Sequence, residues 1–291
     1  MAFLDAFRNQ SLEMTVFNAG KGEAILIKAS NKAIFVEGGA ELIKENVVLG
    51  NRLGQYLRDN NIRLNAIVAS HNHVDHLNAL STMLQGEDPQ ILANGAKFYY
   101  NGEEMGKWLT ETLMKRLHQL QSKIRIKKIS ALTRVNWIGN QKITMFVDGR
   151  WKPSPVYRSI FMHIPYREAR FLLTGDAYIP YENELVKDPS ISPYIKTDVL
   201  KITHHGSEHG TGEEFLKHAA PVISVASTAA DSGHRLEQDV IDRIKVYSRK
   251  IFDTYSNDGD IIIRTDGVKR NLQGYNGILF EVEVRSPSIL H

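Results

Sequence analysis

His71-Asn72-His73-Val74-Asp75-His76 packs four potential metal donors into six residues, directly after the apolar run Ala66-Ile67-Val68-Ala69. In extended backbone, alternate side chains share a face, so His71 and His73 can grip one ion through their imidazole nitrogens. Once a turn begins, Asp75 and His76 point elsewhere and can hold a second ion beside the first. Divalent metals of borderline softness such as zinc accept this mixture of imidazole and carboxylate, and ions paired about 3.5–4 Å apart are a hydrolytic arrangement. The plain alternative is that Asp75 caps a helix over residues 77–84. A cap needs one such residue and this loop supplies four, which favours the metal reading.

Two later runs have the same form, an apolar strand that ends in donors. Leu172-Leu173-Thr174 leads into Gly175 and Asp176, and an acid just past a strand and a glycine can lie close to the histidine loop. One carboxylate can bridge two cations through its two oxygens. The strand expected over 198–203 delivers His204-His205-Gly206-Ser207. One of these histidines completes the second ion's shell with Asp75, His76 and Asp176, and the other is free to protonate a leaving group. Spacing cannot order two adjacent residues at a strand end; the expectation is His205 as ligand and His204 as acid or substrate contact. Ser207 and the N–H groups of the glycine turn are placed to receive a phosphate oxygen, beside a helix that starts near Thr211 or Gly212. The chain has no cysteine, so His, Asp, Glu or water must hold any metal.

The elements that must position these residues are legible as short apolar runs. Residues 13–17, 24–28 and 32–37 read as three strands separated by Gly20-Lys21-Gly22 and Ser30-Asn31. Leu49, Leu53, Tyr56 and Leu57 recur at helical spacing, and the strand over 66–70 then delivers the histidines. That order puts a site at the carboxyl ends of strands. A second amphipathic helix is expected over 104–122, and strands over 159–164 and 169–174. A helix over 179–187 carries Glu182 and Glu184, exposed or capping, with no chemistry assigned. The last third reads as a helix over 212–219, a strand over 222–226, a helix over 236–247, and strands over 261–264 and 277–284. Lys123, Arg125, Lys127 and Lys128 alternate with Ile124 and Ile126, which reads as a half-buried strand rather than a phosphate-binding track.

Together the HxHxDH run, Leu172–Asp176 and His204–Ser207 resemble the metallo-β-lactamase superfamily, and in particular the branch typified by the extracytoplasmic domain of the DNA-uptake protein ComEC. The likeness runs from about Phe17 to about Gly267. It implies an α/β fold, a four-layer αββα sandwich with metals at one edge between its halves, and it implies Asp176 as the bridging ligand. Glu37-Gly38-Gly39 is similar to the family's Asp-Gly-Gly, so Glu37 would orient a ligating histidine from behind. Asn18-Ala19-Gly20-Lys21-Gly22-Glu23 stands where the family has Asp-Val-Gly-Gln-Gly-Asp: both glycines are kept, and the first acid is not. Ser159 matches the serine at the family's strand entry. The third histidine that most members supply to the first ion is missing from Lys152-Pro153-Ser154-Pro155-Val156-Tyr157, and His163 reads as a sheet-face residue rather than its replacement. His71, His73 and Asp176 would then hold the first ion with water or substrate, an oxygen-richer shell that admits manganese as well as zinc. Ser232-Gly233-His234 resembles Tyr-Gly-His-Pro without the proline, giving His234 a substrate-side catalytic role.

At 291 residues, 42% hydrophobic and 24% charged, the composition is that of a globular protein and excludes disordered and fibrous classes. No Pro/Gly/Ser-rich linker interrupts it, so residues 1–291 are read as a single hydrolase domain. The net charge of +3 tolerates an anionic substrate without demanding one. No apolar run reaches the roughly 18–20 residues that span a bilayer, and a cytoplasmic protein without a membrane segment is expected; protein partners stay unknown. The expected activity is hydrolysis by a hydroxide between two divalent ions, Asp75 and Asp176 being among the ligands and a histidine protonating the leaving group. The ComEC likeness implies a phosphodiester in DNA or another nucleic acid. The alternatives are a small phosphodiester, such as a nucleotide signal or lipid head group, and a catalytically impaired binding protein on the same scaffold.

Overall fold

Runs rich in Ile, Leu and Val open the chain and pair as an antiparallel meander: β1 (Leu12–Val16), β2 (Ala24–Ala29) and β3 (Lys32–Glu37). The computed structural model describes residues 11–85, 90–129, 131–147, 158–230, 235–272 and 275–286. After β3 the chain crosses through α1 (Ile43–Asp59) to β4 (Leu64–Ala69), parallel to β3 with Ile34 opposite Ala66 and Val36 opposite Val68. The metal-loop sequence follows, leading into two single-turn helices, α2 (Val74–Leu77) and α3 (Leu80–Met83). β5 (Leu92–Tyr100), helix α4 over 107–119 with its middle π-wound, and β6 (Ile124–Lys128) complete this half.

The second half contains β7 (Thr133–Asn136), β8 (Lys142–Phe146), β9 (Phe161–Tyr166), β10 (Ala169–Leu173), α5 (Ile179–Lys187), β11 (Val199–Lys201), α6 (Glu213–Ala219), β12 (Ile223–Ala226), α7 (Gln238–Lys245) and β13 (Lys250–Asp253). The chain then returns to the first sheet as β14 (Asp260–Thr265), pairs β15 (Lys269–Leu272) with β16 (Tyr275–Ile278), and ends in β17 (Glu281–Arg285). Among the described residues one sheet has the order β17-β14-β1-β2-β3-β4-β5-β6 and the other β13-β12-β11-β10-β9-β8-β7.

Strand alternation sorts side chains between the layers. Met14, Val16, Ile25, Ile27 and Val68 face Met145, Met162, Ile164, Phe171 and Val225 in one core between the sheets. Their neighbours Leu26, Phe35, Ile67 and Ala69 point outward onto Leu49, Leu53 and Leu57 of α1 and Leu113 and Leu117 of α4. On the far side Phe161, Leu172 and Leu200 meet Tyr181 and Leu185 of α5, Phe215 of α6 and Val240 of α7. Each fully buried aliphatic or aromatic side chain contributes about 1.5–3 kcal/mol. The result is the expected order of helix layer, sheet, sheet and helix layer.

Several boundaries differ from expectation. The helix expected over 77–84 is split, because the Ala79 and Leu80 N–H groups both donate to the Gly38 carbonyl, at 2.9 and 3.1 Å. The strand expected over 277–284 is two strands with a break after Ile278. β5 has no counterpart in the sequence reading: Gly95 at φ +71 and a register irregularity against β4 interrupt the alternation that would have signalled it. Ile124 is buried while Arg125, Lys127 and Lys128 of β6 are exposed, the half-buried strand expected, and it lies at the sheet edge.

Candidate metal centre

Loops at the carboxyl ends of β3, β4, β10 and β11 converge at one edge, between the two sheets. β4 delivers Ser70 and His71; both Glu37 oxygens accept from the Ser70 N–H, at 3.1 and 3.3 Å. Ser70 Oγ lies 2.8 Å from His71 Nδ1 and Ser159 Oγ lies 3.5 Å from it. With that nitrogen occupied, His71 Nε2 faces the centre, 3.9 Å from Asp176 Oδ2. His73 is half-buried, its ring 4.6 Å from that of His71, and it offers a ring nitrogen within 4.8 Å of donors on His71 and Asp176.

Asp75 and His76 sit in α2. His76 Nε2 is 3.0 Å from Asp176 Oδ2 and 3.5 Å from Asp75 Oδ2, while Nδ1 lies 3.7 Å from Glu37 Oε2. The backbone around this helix is crowded. A Cβ on Gly22 would lie 2.6 Å from the Asp75 carbonyl oxygen, and one on Gly39 would lie 2.6 Å from its carbonyl carbon. The Glu23 N–H donates to that carbonyl at 3.1 Å. The two glycines therefore let both flanking loops close onto the metal loop. Asn18 and Lys21 point to other partners: the Asn18 N–H and carbonyl bond Asp260 and Arg52, and Lys21 pairs with Glu41 at 3.3 Å.

Asp176 follows Gly175, whose φ of +53 suits glycine and whose absent side chain leaves room for Ser70 Oγ and the Ser159 side chain at 2.5–2.8 Å. Ser159 Oγ accepts from the Asp176 N–H at 2.9 Å. The second half contributes through a strained turn. His204 and His205 are both left-handed, at φ +51 and +54, followed by Gly206 at +88. Such conformations cost non-glycine residues about 1–2 kcal/mol each. Glu182 helps to hold them: buried, not exposed, it accepts from Thr203 Oγ1 at 2.8 Å, the Thr211 N–H at 2.8 Å and the Gly212 N–H at 2.7 Å.

This turn distinguishes the two histidines. His205 is buried, with Nδ1 3.0 Å from the Ser227 carbonyl, so Nε2 faces Asp75 at 3.7 Å and Asp176 at 3.8 Å. His204 is partly exposed, with Nε2 3.8 Å from Asp176 Oδ2 and its ring 5.0 Å from that of Tyr178. Ser207 closes the turn, its N–H donating to the His204 carbonyl at 2.8 Å and its hydroxyl accepting from the His209 N–H at 3.4 Å. His163 stands apart on β9, its ring 5.7 Å from that of Tyr194, and burial together with the Arg170 charge lowers it to about 4. His234 and residues 152–157 lie outside the described residues.

Electrostatics and unmet hydrogen-bond capacity point the same way. Burial pushes Asp176 and Asp75 upward, but the His76 and His205 imidazoles reverse this and hold both below the usual carboxylate range. Burial lowers His76 and His205 in turn, and the two aspartates raise both above an ordinary imidazole, His76 far above. Burial and the His76 charge keep His71 well below, and burial lowers His204. Imidazoles thus surround two buried carboxylates held in their charged form. Among the described residues, His71 Nε2 and Asp176 Oδ1 are buried without a hydrogen-bond partner. Buried polar atoms are rarely left unpaired, and these face one another, so the donor set fits divalent cations.

Sequence reasoning missed two residues at this centre, Glu23 and Lys201, which are 1% and 0% exposed. Their ion pair spans the two sheets at 2.6 Å. A lysine inside the apolar run Val199-Leu200-Lys201-Ile202 was the available signal.

The family model of the metallo-beta-lactamase superfamily matches residues 18–230. The chain is 34% identical to ComE operon protein 3 of Bacillus subtilis (strain 168) over 88 residues, 30% of this chain and 11% of that protein. It is 20% identical to Competence protein ComA of Neisseria gonorrhoeae over 251 residues, 86% of this chain and 32% of that protein. The chain therefore spans a minor part of the length of either relative. Among solved structures, the metallo-beta-lactamase fold protein YhfI from Bacillus subtilis superposes with a TM-score of 0.53 at 14% identity, covering 84% of this chain and 97% of that one. The likeness to competence proteins agrees with the branch read from the motifs, and we conclude that the chain belongs to the metallo-beta-lactamase superfamily and has the fold of a metal-dependent hydrolase.

Proposed function

We propose that this protein is a binuclear metal-dependent phosphodiesterase that cleaves DNA or another nucleic acid. The observation that carries the reading is the convergence of His71, His76, His204 and His205 on one carboxylate, Asp176, with His71 Nε2 and Asp176 Oδ1 unpaired. His71, His73 and Asp176 form one donor set, and Asp75, His76, Asp176 and His205 the other. When bound, a pair of divalent ions supplies a nucleophilic water at neutral pH and positive charge for an anionic substrate oxygen. The first set has only two imidazoles, so manganese is accepted as well as zinc.

The chain's own groups do the rest. Glu37 and the Ser227 carbonyl orient His76 and His205 from behind. His204, partly exposed and braced by Tyr178, donates the proton to the departing oxygen. Ser207 is assigned a substrate contact, and His234, outside the described residues, keeps the substrate-side role that the family resemblance implies. The single core shared by both sheets supports treating the chain as one hydrolase domain.

The test is a metal-dependent assay on linear single-stranded DNA, duplex DNA, RNA and a chromogenic small diester, with Asp176→Ala as control. Cleavage of nucleic acid that needs both the metal and Asp176 is the expected outcome. Turnover of the small diester alone would move the assignment to a small phosphodiester. Undiminished turnover in Asp176→Ala would refute the metal centre. A protein that takes up no ion in zinc or manganese would be a binding protein on this scaffold.

A further inference from the structure

Beneath the second donor set lies a buried ion pair that the proposed chemistry leaves unused. Glu23 immediately precedes β2 of one sheet, and Lys201 is the last residue of β11 in the other. Lys201 Nζ meets Glu23 Oε2 at 2.6 Å, a charge contact outside hydrogen-bond geometry, and donates to the Ile202 carbonyl at 2.9 Å. Burying such a pair is costly, and an apolar pair of similar volume would serve packing alone at least as well.

Glu23 is also within reach of the second donor set. One oxygen of its carboxylate lies within 4.8 Å of donor atoms on His76, Asp176 and His205. Asp75 Oδ2 lies 3.5 Å from His76 Nε2 and 3.7 Å from His205 Nε2, so that with Asp176 these residues offer four donors without Glu23, and a hydrolytic site must keep a position free for water or substrate. A fifth protein donor would occupy it. We infer that Lys201 is a positioning residue: it holds the Glu23 carboxylate away from the second ion and so keeps that ion's open position. The fixed Ile202 bond anchors the ammonium, and the two-sheet origin of the pair makes its geometry a property of the assembled sandwich.

This rests on the binuclear reading above, and the experiment separates the two. Cobalt(II) is titrated into the metal-free wild type, Lys201→Met, Glu23→Gln and the double variant, with visible absorption reporting coordination number and circular dichroism reporting folding. In Lys201→Met the freed carboxylate joins the second ion: the spectrum shifts to higher coordination and the second ion binds about 10- to 100-fold more tightly, the range over which neighbouring groups tune metal sites. The double variant returns both readouts to wild type. Glu23→Gln takes up two ions with the wild-type spectrum, and this arm stands alone if Lys201→Met does not fold. A wild-type spectrum and affinity in folded Lys201→Met, or loss of an ion in Glu23→Gln, overturns the inference. Failure of the wild type to bind two ions instead sinks the binuclear reading itself.

Discussion

The two halves of the molecule furnish the centre in opposite ways. The first half supplies His71, His73, Asp75 and His76 from one contiguous loop in ordinary extended and helical backbone, with His73 at φ −85 as the residue that starts α2. The second supplies Asp176 and His205 from two strand ends, the latter through consecutive left-handed residues. The first loop is locally self-sufficient once Gly22 and Gly39 admit it. The second is strained and depends on Glu182 and Gly175 to hold it. Donors that are close in sequence need little bracing, and donors brought from afar need a scaffold of buried hydrogen bonds.

Breaking the shared point of the two halves has the largest effect. Asp176→Ala should lower diester turnover by more than the roughly 10- to 100-fold typical of groups behind a metal ligand, with bound metal falling in parallel by elemental analysis. Gly175→Ala comes next. Its Cβ would press on Ser70 Oγ and Ser159 in a left-handed backbone, costing about 1–3 kcal/mol by urea unfolding and disturbing His71 as well. Gly139, also left-handed but with open space around its Cβ position, is the control and should lose only about 1–2 kcal/mol.

Glu182 sharpens the comparison through pH. Burial raises its carboxyl to about 6 from an ordinary 4.5, against the hydrogen bonds from Gly212, Thr203 and Thr211. A native state that holds its proton more tightly than the unfolded chain is favoured below pH 4.5 and loses that advantage as pH rises to about 6. The loss is about 2 kcal/mol, and Glu182→Gln should flatten this part of the stability profile relative to wild type. The smallest effect is expected in the first half: Lys21→Ala removes a partly exposed pair with Glu41 and should change stability by less than about 1 kcal/mol.

The legible parts of the site share one feature, a donor at the end of an apolar run. That is why the histidine loop, Asp176 and the 204/205 pair stand out in the sequence as candidate donors, and why strands β1 to β4 and β9 to β12 were recognised. β5 was not, since Gly95 breaks its alternation, and Glu182 read as exposed or capping because helical spacing alone does not show which face α5 buries. Glu23 and Lys201 each looked like a lone charge, because neither betrays its partner locally.

Residue types and spacing by themselves determined the run of strands and helices and the candidate donors, since periodicity decides which faces can be buried and donor chemistry decides what those residues can hold; the four-layer arrangement was implied by the family resemblance those motifs carry. Only the tertiary structure decided that His205 points inward and His204 toward solvent, that Glu37 lies behind His76, and that a lysine from one sheet meets a glutamate from the other. Those outcomes depend on turn geometry and on contacts between elements far apart in the chain, which no local pattern encodes.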